Sequence, residues 1–188
     1  LYKSAVTDQL TGILNRKGFY QNIGEIIRKI KKGRMKHEFG IMFIDLDNFK
    51  GYNDTFGHDV GDLLLKPMAN IFSRACRDKG FVTRFGGDEF IIFLYTGEHK
   101  TLEDTAKAIY KEIKKQDGFR ELIAKEIGQP VEIDDKKLLS CSIGIISSNQ
   151  VKKAEDIDEM IKEADDLLYA VKAESKGTYK FFEEQEQK

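Results

Sequence analysis

Two groups of acidic residues stand where a chain could run metal-assisted chemistry on phosphate groups. In Arg84-Phe85-Gly86-Gly87-Asp88-Glu89-Phe90, two glycines separate the strand-like runs Phe81 to Phe85 and Phe90 to Tyr95, and two adjacent carboxylates follow at once. Glycine tolerates positive φ and the close approach of backbone or ligand, so the pair predicts a tight hairpin with Asp88 and Glu89 at its lip. Alternation along a strand sends those two side chains to opposite faces unless the turn twists. A solvent-exposed hairpin tip with no chemistry has the same composition, and the pentapeptide alone does not choose. The second group follows the apolar run from Phe39 to Ile44 and reads Asp45, Leu46, Asp47, Asn48, Phe49, Lys50. A short continuous apolar run indicates a strand buried on both faces, and Asp45 and Asp47, two apart, then share one face at its C-terminal end. Open α/β sheets bind ligands at that end, although two aspartates also serve simply to solvate it. A few oxygen ligands, completed by water and phosphate, suit Mg²⁺ rather than Zn²⁺. The three histidines and two cysteines show no zinc spacing.

The elements that must position these residues are legible in outline. Phe19, Ile23, Ile26, Ile27 and Ile30 recur at helical spacing and predict a helix over residues 17–33, before a strand over 39–46. Val60, Leu63, Leu64, Met68, Ile71 and Phe72 predict a second helix to about Cys76, with Pro67 inside it expected to remove a hydrogen bond and introduce a kink. The hairpin strands are expected over 81–85 and 89–95. A helix follows from Thr101, capped with Asp104, to Gln116, then a loop at Gly118 and an amphipathic stretch from Phe119 to Ile127. Strands over 131–134 and 138–146, a last helix from Glu155 to Lys172 and an edge strand over 179–182 complete the order. Such an order predicts an α+β domain with a mixed, mainly antiparallel sheet between helices.

Composition narrows the function classes. At 188 residues the chain fits one compact domain with a sizeable core. Lysine and arginine total 31 against 32 acids, a net charge of -1, so no global basic field argues for nucleic acid or an anionic membrane. The basic stretch from Arg28 to Lys36 reads as the solvated end of an amphipathic helix. Cys76 and Cys141 sit in apolar surroundings and fit free thiols in a reducing cytoplasm. No signal peptide or membrane-spanning run is evident. Because the chain opens at Leu1 and not at methionine, it is expected to be a piece of a longer protein.

Six motifs in order carry a resemblance over nearly the whole chain. They are Asp8-Gln9-Leu10-Thr11-Gly12 with Asn15-Arg16; Asp45 to Lys50; Asn53-Asp54, Gly57-His58 and Gly61-Asp62; Gly86 to Phe90; Cys141-Ser142-Ile143-Gly144; and Ala164-Asp165 through Tyr169 and Lys172. Together they resemble the GGDEF domain, the catalytic module of diguanylate cyclases. The resemblance implies condensation of two GTP into cyclic di-GMP and two pyrophosphates on a palm-like, ferredoxin-like core shared with nucleotide cyclases. It places the domain at 8–182, with 1–7 as the end of a connecting helix and 183–188 as a frayed tail. By the same resemblance Asp45, the Leu46 carbonyl, Asp88 and Glu89 hold two Mg²⁺ or Mn²⁺ per GTP, and Asp88, Glu89 and Lys50 are catalytic. Substrate contacts fall to Asn48, Phe49, Asn53, His58, Asp62, Gly86, Gly87, Lys172 and Lys176, with Asn53 and Asp62 reading guanine. Asp8 and Arg16 brace the fold, and Arg84 supports the hairpin. Catalysis implies a homodimer, an upstream sensory or dimerising domain, and a cytoplasmic setting without nucleic acid or membrane contact by this domain. A non-catalytic GTP-binding regulatory module is the alternative reading. Two departures from the family pattern bear on function. Ser175 stands where the family has glycine, with Gly177 after Lys176 instead. The family's product-inhibition Arg-x-x-Asp reads Arg77-Asp78-Lys79-Gly80 here, so no tight feedback binding is expected there.

Overall fold

The computed structural model describes residues 5–150 and 156–183. At its centre lies β1, Gly40–Asp47, buried along almost its whole length as its apolar run predicts. It pairs antiparallel with β3, Glu89–Leu94, on one side and with β4, Ser140–Ser147, on the other. Strand β2, Gly80–Arg84, adds antiparallel to β3, and β5, Tyr179–Phe181, adds parallel to β4. The five-stranded sheet therefore runs β2-β3-β1-β4-β5 and is mixed and mainly antiparallel, as expected.

Strand alternation sorts β1 between two cores. Ile41 and Phe43 face α1, Arg16–Lys31, and α6, Ile157–Glu174. Met42, Ile44 and Leu46 face a layer of four helices: α2, Phe49–Phe56; α3, His58–Ala75; α4, His99–Ile113; and α5, Asp117–Ile127. Each of these five side chains is almost fully buried, which contributes about 1.5–3 kcal/mol apiece relative to exposure. The same parity carries Asp45 and Asp47 out on the α6 face, where the apolar run stops.

Several expectations need correction. Helix α2 was not expected, because eight residues containing Gly51 show too few apolar positions, Phe49, Tyr52 and Phe56, for a helical period to register. Helix α3 runs through Pro67 from His58 to Ala75; the proline sits beside exposed Leu63, so the carbonyl it leaves without an N–H donor is on the wet side. Helix α4 starts at His99, not Thr101, and Thr101 Oγ1 instead donates to Glu98 Oε2 at 3.3 Å. Gly118 lies inside α5 and not in a loop. Residues 131–134 form no strand, since the ladder beside β4 is already occupied by β1 and β5; they lead into a short turn, Asp135–Lys137, where Asp134 Oδ1 accepts from Lys136 N. Glu155, the expected start of the last helix, lies outside the described residues, as do residues 1–4 of the expected connecting helix and 184–188 of the expected tail. Cys76 and Cys141 are both buried and unpaired. Among the described residues, no helix is long and apolar enough to cross a membrane.

Candidate active site

The turn between β2 and β3 is held from outside by the N-terminal motif. Asp8 Oδ2 accepts from Thr11 N and Thr11 Oγ1 at 3.0 and 2.6 Å, while Asp8 Oδ1 pairs with Arg84 Nη1 at 3.0 Å. Arg84 also donates from Nε and Nη2 to the Gly87 carbonyl at 3.1 and 2.9 Å. Arg16 Nε donates to the Phe85 carbonyl at 3.2 Å, and its guanidinium lies 3.9 Å above the Phe85 ring. Two arginines thus grip the carbonyls on either side of Gly86. Neither Gly86 nor Gly87 takes a positive φ, which corrects the reason expected for the glycine pair. A Cβ at Gly86 would displace the Glu89 carboxylate, whose Oε1 lies against it, whereas Gly87 faces open space.

This turn abuts the exit of β1. Asp45 is the cross-strand neighbour of Glu89, and Leu46 N donates to the Asp88 carbonyl at 3.1 Å. Asp88 lines a cleft of about 640 Å³, while the Glu89 carboxylate lies back against Gly86. The two acids therefore diverge, as strand alternation expects. Beside them, Lys172 reaches in from α6: its Nζ lies 2.9 Å from Asp45 Oδ2, 3.4 Å from Asp47 Oδ1 and 3.4 Å from the Leu46 carbonyl. Asp47 is 1% exposed, with Ser142 Oγ at 2.9 and 3.0 Å from its two oxygens and Gly177 N donating to Oδ2 at 2.9 Å. Gly177 adopts φ 77°, a left-handed conformation that favours glycine. The glycine displaced from its usual family position thus turns its own N–H onto Asp47.

The electrostatics of this exit favour a further positive charge. Burial raises the Asp45 pKa, and the neighbouring Asp88 and Asp47 charges push the same way against the hydrogen bond from Lys172. Burial also raises the Glu89 pKa, assisted by Asp45, Asp165 and Asp88 and opposed by Arg16. Burial works against the Lys172 ammonium, yet the hydrogen bond and charge of Asp45, with Asp47 behind it, outweigh that and raise its pKa. Both partners of the pair report one condition, several carboxylates sharing one ammonium. Asp45 Oδ1 is buried without a hydrogen-bond partner. Among the described residues no three His, Cys, Asp or Glu side chains form a ready metal cage. The donor set is instead carboxylates plus a backbone carbonyl, already drawn around a cation, and it fits a hard, oxygen-liganded ion.

The other expected site residues do not all meet in one place. Asn48, Phe49, Lys50, Lys172 and Lys176 line the cleft with Asp88. Asn48 caps α2 in a left-handed conformation, φ 66°, and its Nδ2 donates to the Leu138 carbonyl at 3.0 Å. The Phe49 side chain belongs to the core, so only its backbone is offered to the cleft. Asn53 lies at the α2–α3 corner with its Oδ1 packed against Gly61, next to Asp62. Asp62 itself is exposed on a separate groove of about 740 Å³ along α3, shared with Leu10, Leu63 and Lys66. His58 is exposed at the first residue of α3 and lines neither space. Sequence reasoning missed Glu132, Ile133, Asp134 and Lys137, which close the far wall of the cleft from the segment before β4. No motif marks them, and the sequence reading of a strand over 131–134 pointed away from a cleft wall.

Known proteins resemble this chain in sequence and fold. The family model described as diguanylate cyclase, GGDEF domain matches residues 5–178. Signaling protein YkoW of Bacillus subtilis is 34% identical over 97% of this chain and 21% of its own length. Diguanylate cyclase DgcM of Escherichia coli is 33% identical over 94% of this chain and 38% of its own length. The chain thus spans well under half of these relatives. The GGDEF domain of TpbB, or YfiN, from Pseudomonas aeruginosa superposes with a TM-score of 0.75 at 26% identity, covering 94% of each chain. Its palm-like fold is the one found here. With the bracing turn, the aspartate exit and the glycine-acid hairpin all inside the matched span, the chain belongs to the diguanylate cyclase GGDEF domain family.

Proposed function

We infer that this domain condenses two GTP into cyclic di-GMP and two pyrophosphates, each of two copies holding one GTP. The observation that carries the reading is the gathering of Asp45, the Leu46 carbonyl and Asp47 around a positive charge beside a cleft lined by Asp88, Lys50 and Lys176. Asp45, the Leu46 carbonyl, Asp88 and Glu89 would hold two Mg²⁺ or Mn²⁺ per GTP, which when bound would neutralise charge on the phosphates and lower the hydroxyl pKa. Around them the chain's own groups bind and orient the substrate. The N-terminus of α2 offers the N–H groups of Asn48 and Phe49 to the β- and γ-phosphates. Lys172 and Lys176 hold the terminal phosphates, and Lys50 stabilises charge that develops during transfer. Gly86 and Gly87 let the substrate approach the hairpin closely. Asp62 accepts from guanine N1–H and the exocyclic amine, Asn53 supplies its amide to the same edge, and His58 makes a further substrate contact.

In each transfer the 3′-oxygen of one GTP bonds to the α-phosphorus of the other, and the bond to the pyrophosphate oxygen breaks. The hydroxyl proton passes to Asp88 or Glu89. Burial and surrounding acids raise the Glu89 pKa, the direction a base working near neutrality needs. One GTP per domain cannot close a symmetric ring, so two domains must face each other. The test is to incubate the domain, fused upstream to a dimerising coiled coil, with GTP and Mg²⁺ and to identify product by mass. Cyclic di-GMP from the parent, and none from a folded Asp88→Ala, Glu89→Ala double variant, is the expected result. GTP bound by the forced dimer without pyrophosphate release would point to the regulatory module instead.

A further inference from the structure

Lys172 stands where the proposed cation would stand. Of its three oxygen partners, Asp45 Oδ2 at 2.9 Å and the Leu46 carbonyl at 3.4 Å belong to the groups assigned to the metal, and only Asp47 Oδ1 at 3.4 Å does not. An ammonium is a compact point charge with three donors, so three oxygens satisfy it. A divalent ion on Asp45 and the Leu46 carbonyl would meet this ammonium at close range, where like charges repel, so each occupant weakens the hold of the other.

Asp47 explains how the lysine is held there and why it does not leave entirely. Its carboxylate is buried and fixed by Ser142 Oγ and Gly177 N, from β4 and from the turn before β5. Those two donors do not neutralise its charge; among the described residues Lys172 is the cation paired with it. Lys172 also lines the cleft with Lys50 and Lys176. Its flexible stem can therefore keep its hold near Asp47 while the ammonium turns from Asp45 towards phosphate oxygens.

We propose that Asp47 is a positioning residue which parks Lys172 on the metal-binding oxygens, so that metal enters only as a triphosphate draws the ammonium away. Metal and nucleotide then load together, and each raises the affinity for the other by the same factor. This inference rests on the cleft being the metal-triphosphate site. It assigns Asp47 a task that neither metal ligation nor substrate contact describes, and it makes Lys172 an antagonist of the metal before it becomes a partner of the phosphates.

The experiment measures Mn²⁺ binding without nucleotide, by the paramagnetic resonance signal of the free ion, on the parent domain and on Lys172→Met and Lys172→Gln. Both variants leave Asp47 its bonds from Ser142 and Gly177 but remove its counter-ion, so a lowered melting temperature is expected, and Mn²⁺ binding is measured below it where thermal melting shows each variant folded. The parent is expected to bind Mn²⁺ weakly and both variants about tenfold tighter or more, a shift of about 1.4 kcal/mol. A non-hydrolysable GTP analogue should tighten Mn²⁺ binding much more for the parent than for either variant. Variants that bind Mn²⁺ no tighter than the parent without nucleotide would overturn the inference. A parent that makes cyclic di-GMP while the variants show that result leaves the functional reading standing and the inference failed. A forced dimer that makes none fails the functional reading itself.

Discussion

Gly80 shows how a single backbone contact decides whether a regulatory site can exist. The family resemblance asks for a carboxylate there, yet a Cβ on Gly80 would fall 2.8 Å from the Phe93 carbonyl carbon and 2.9 Å from Leu94 Cα. Both are sheet backbone and cannot yield cheaply. Gly80→Asp is therefore expected to cost about 1–3 kcal/mol of stability by overpacking and to leave cyclic di-GMP unbound through Arg77, which thermal melts and calorimetry will check. The acids at the β1 exit make a prediction of the opposite kind. Asp45 and Glu89 have folded pKa values raised above the ordinary 3.8 and 4.5, so the folded domain holds their protons more tightly than the unfolded chain does. Their contribution to stability is greatest below the ordinary values and falls as pH rises through the raised ones. In a chelator, melting temperature should decline over that window and flatten in an Asp45→Asn, Glu89→Gln variant. An unchanged slope in the variant would show that these acids are not strained.

At the scale of elements, a few turns do the positioning. The turn from Asp8 to Thr11 fixes Arg84, and Arg84 with Arg16 fixes the carbonyls on either side of Gly86. Arg16→Ala is expected to lower kcat about tenfold, roughly 1.4 kcal/mol in the barrier, with little change in KM, because it loosens the acids and not the phosphate contacts. Steady-state kinetics separates the two, and a change confined to KM would contradict this assignment. The same scale shows what a sequence conveys and what it hides. β1 was legible because Phe39 to Ile44 are apolar without interruption, and α1 because five apolar residues keep helical spacing. α2 was hidden by its length and by Gly51, although it supplies the N-terminus that faces the cleft. The apolar Val131 and Ile133 read as a strand but pack from the side against the core, beside β4, whose two edges are already taken by β1 and β5.

For the whole molecule, the site depends on contacts between distant segments that no local pattern displays. Lys172 meets Leu46 across 126 positions of sequence, and Gly177 meets Asp47 across 130. The motif order names Leu46, Asp47 and Lys172, but only the packing of α6 against β1 shows that Lys172 sits on Asp45, and only the turn before β5 shows that the Gly177 N–H reaches Asp47. In contrast, Asn53 and Asp62 stand at the α2–α3 corner, so guanine must extend from the cleft towards α3 if one GTP is to meet both. On the proposed mechanism of one GTP per copy, turnover at low protein concentration should rise with the square of the domain concentration, and fusion to a dimeriser should make it linear. A linear dependence without the dimeriser, at concentrations where sedimentation shows only monomer, would exclude the two-copy mechanism.

The central claim is that the exit of β1 and the lip of the glycine hairpin form one cation-and-triphosphate site. A crystal structure with a non-hydrolysable GTP analogue and Mn²⁺, using anomalous scattering to place the metal, tests it most directly. The expected map has Mn²⁺ between Asp45, the Leu46 carbonyl and Asp88, with the triphosphate against the start of α2 and Lys172 moved onto its oxygens. Manganese bound elsewhere, or a nucleotide lying in the groove along α3 with Lys172 still on Asp45, would contradict it.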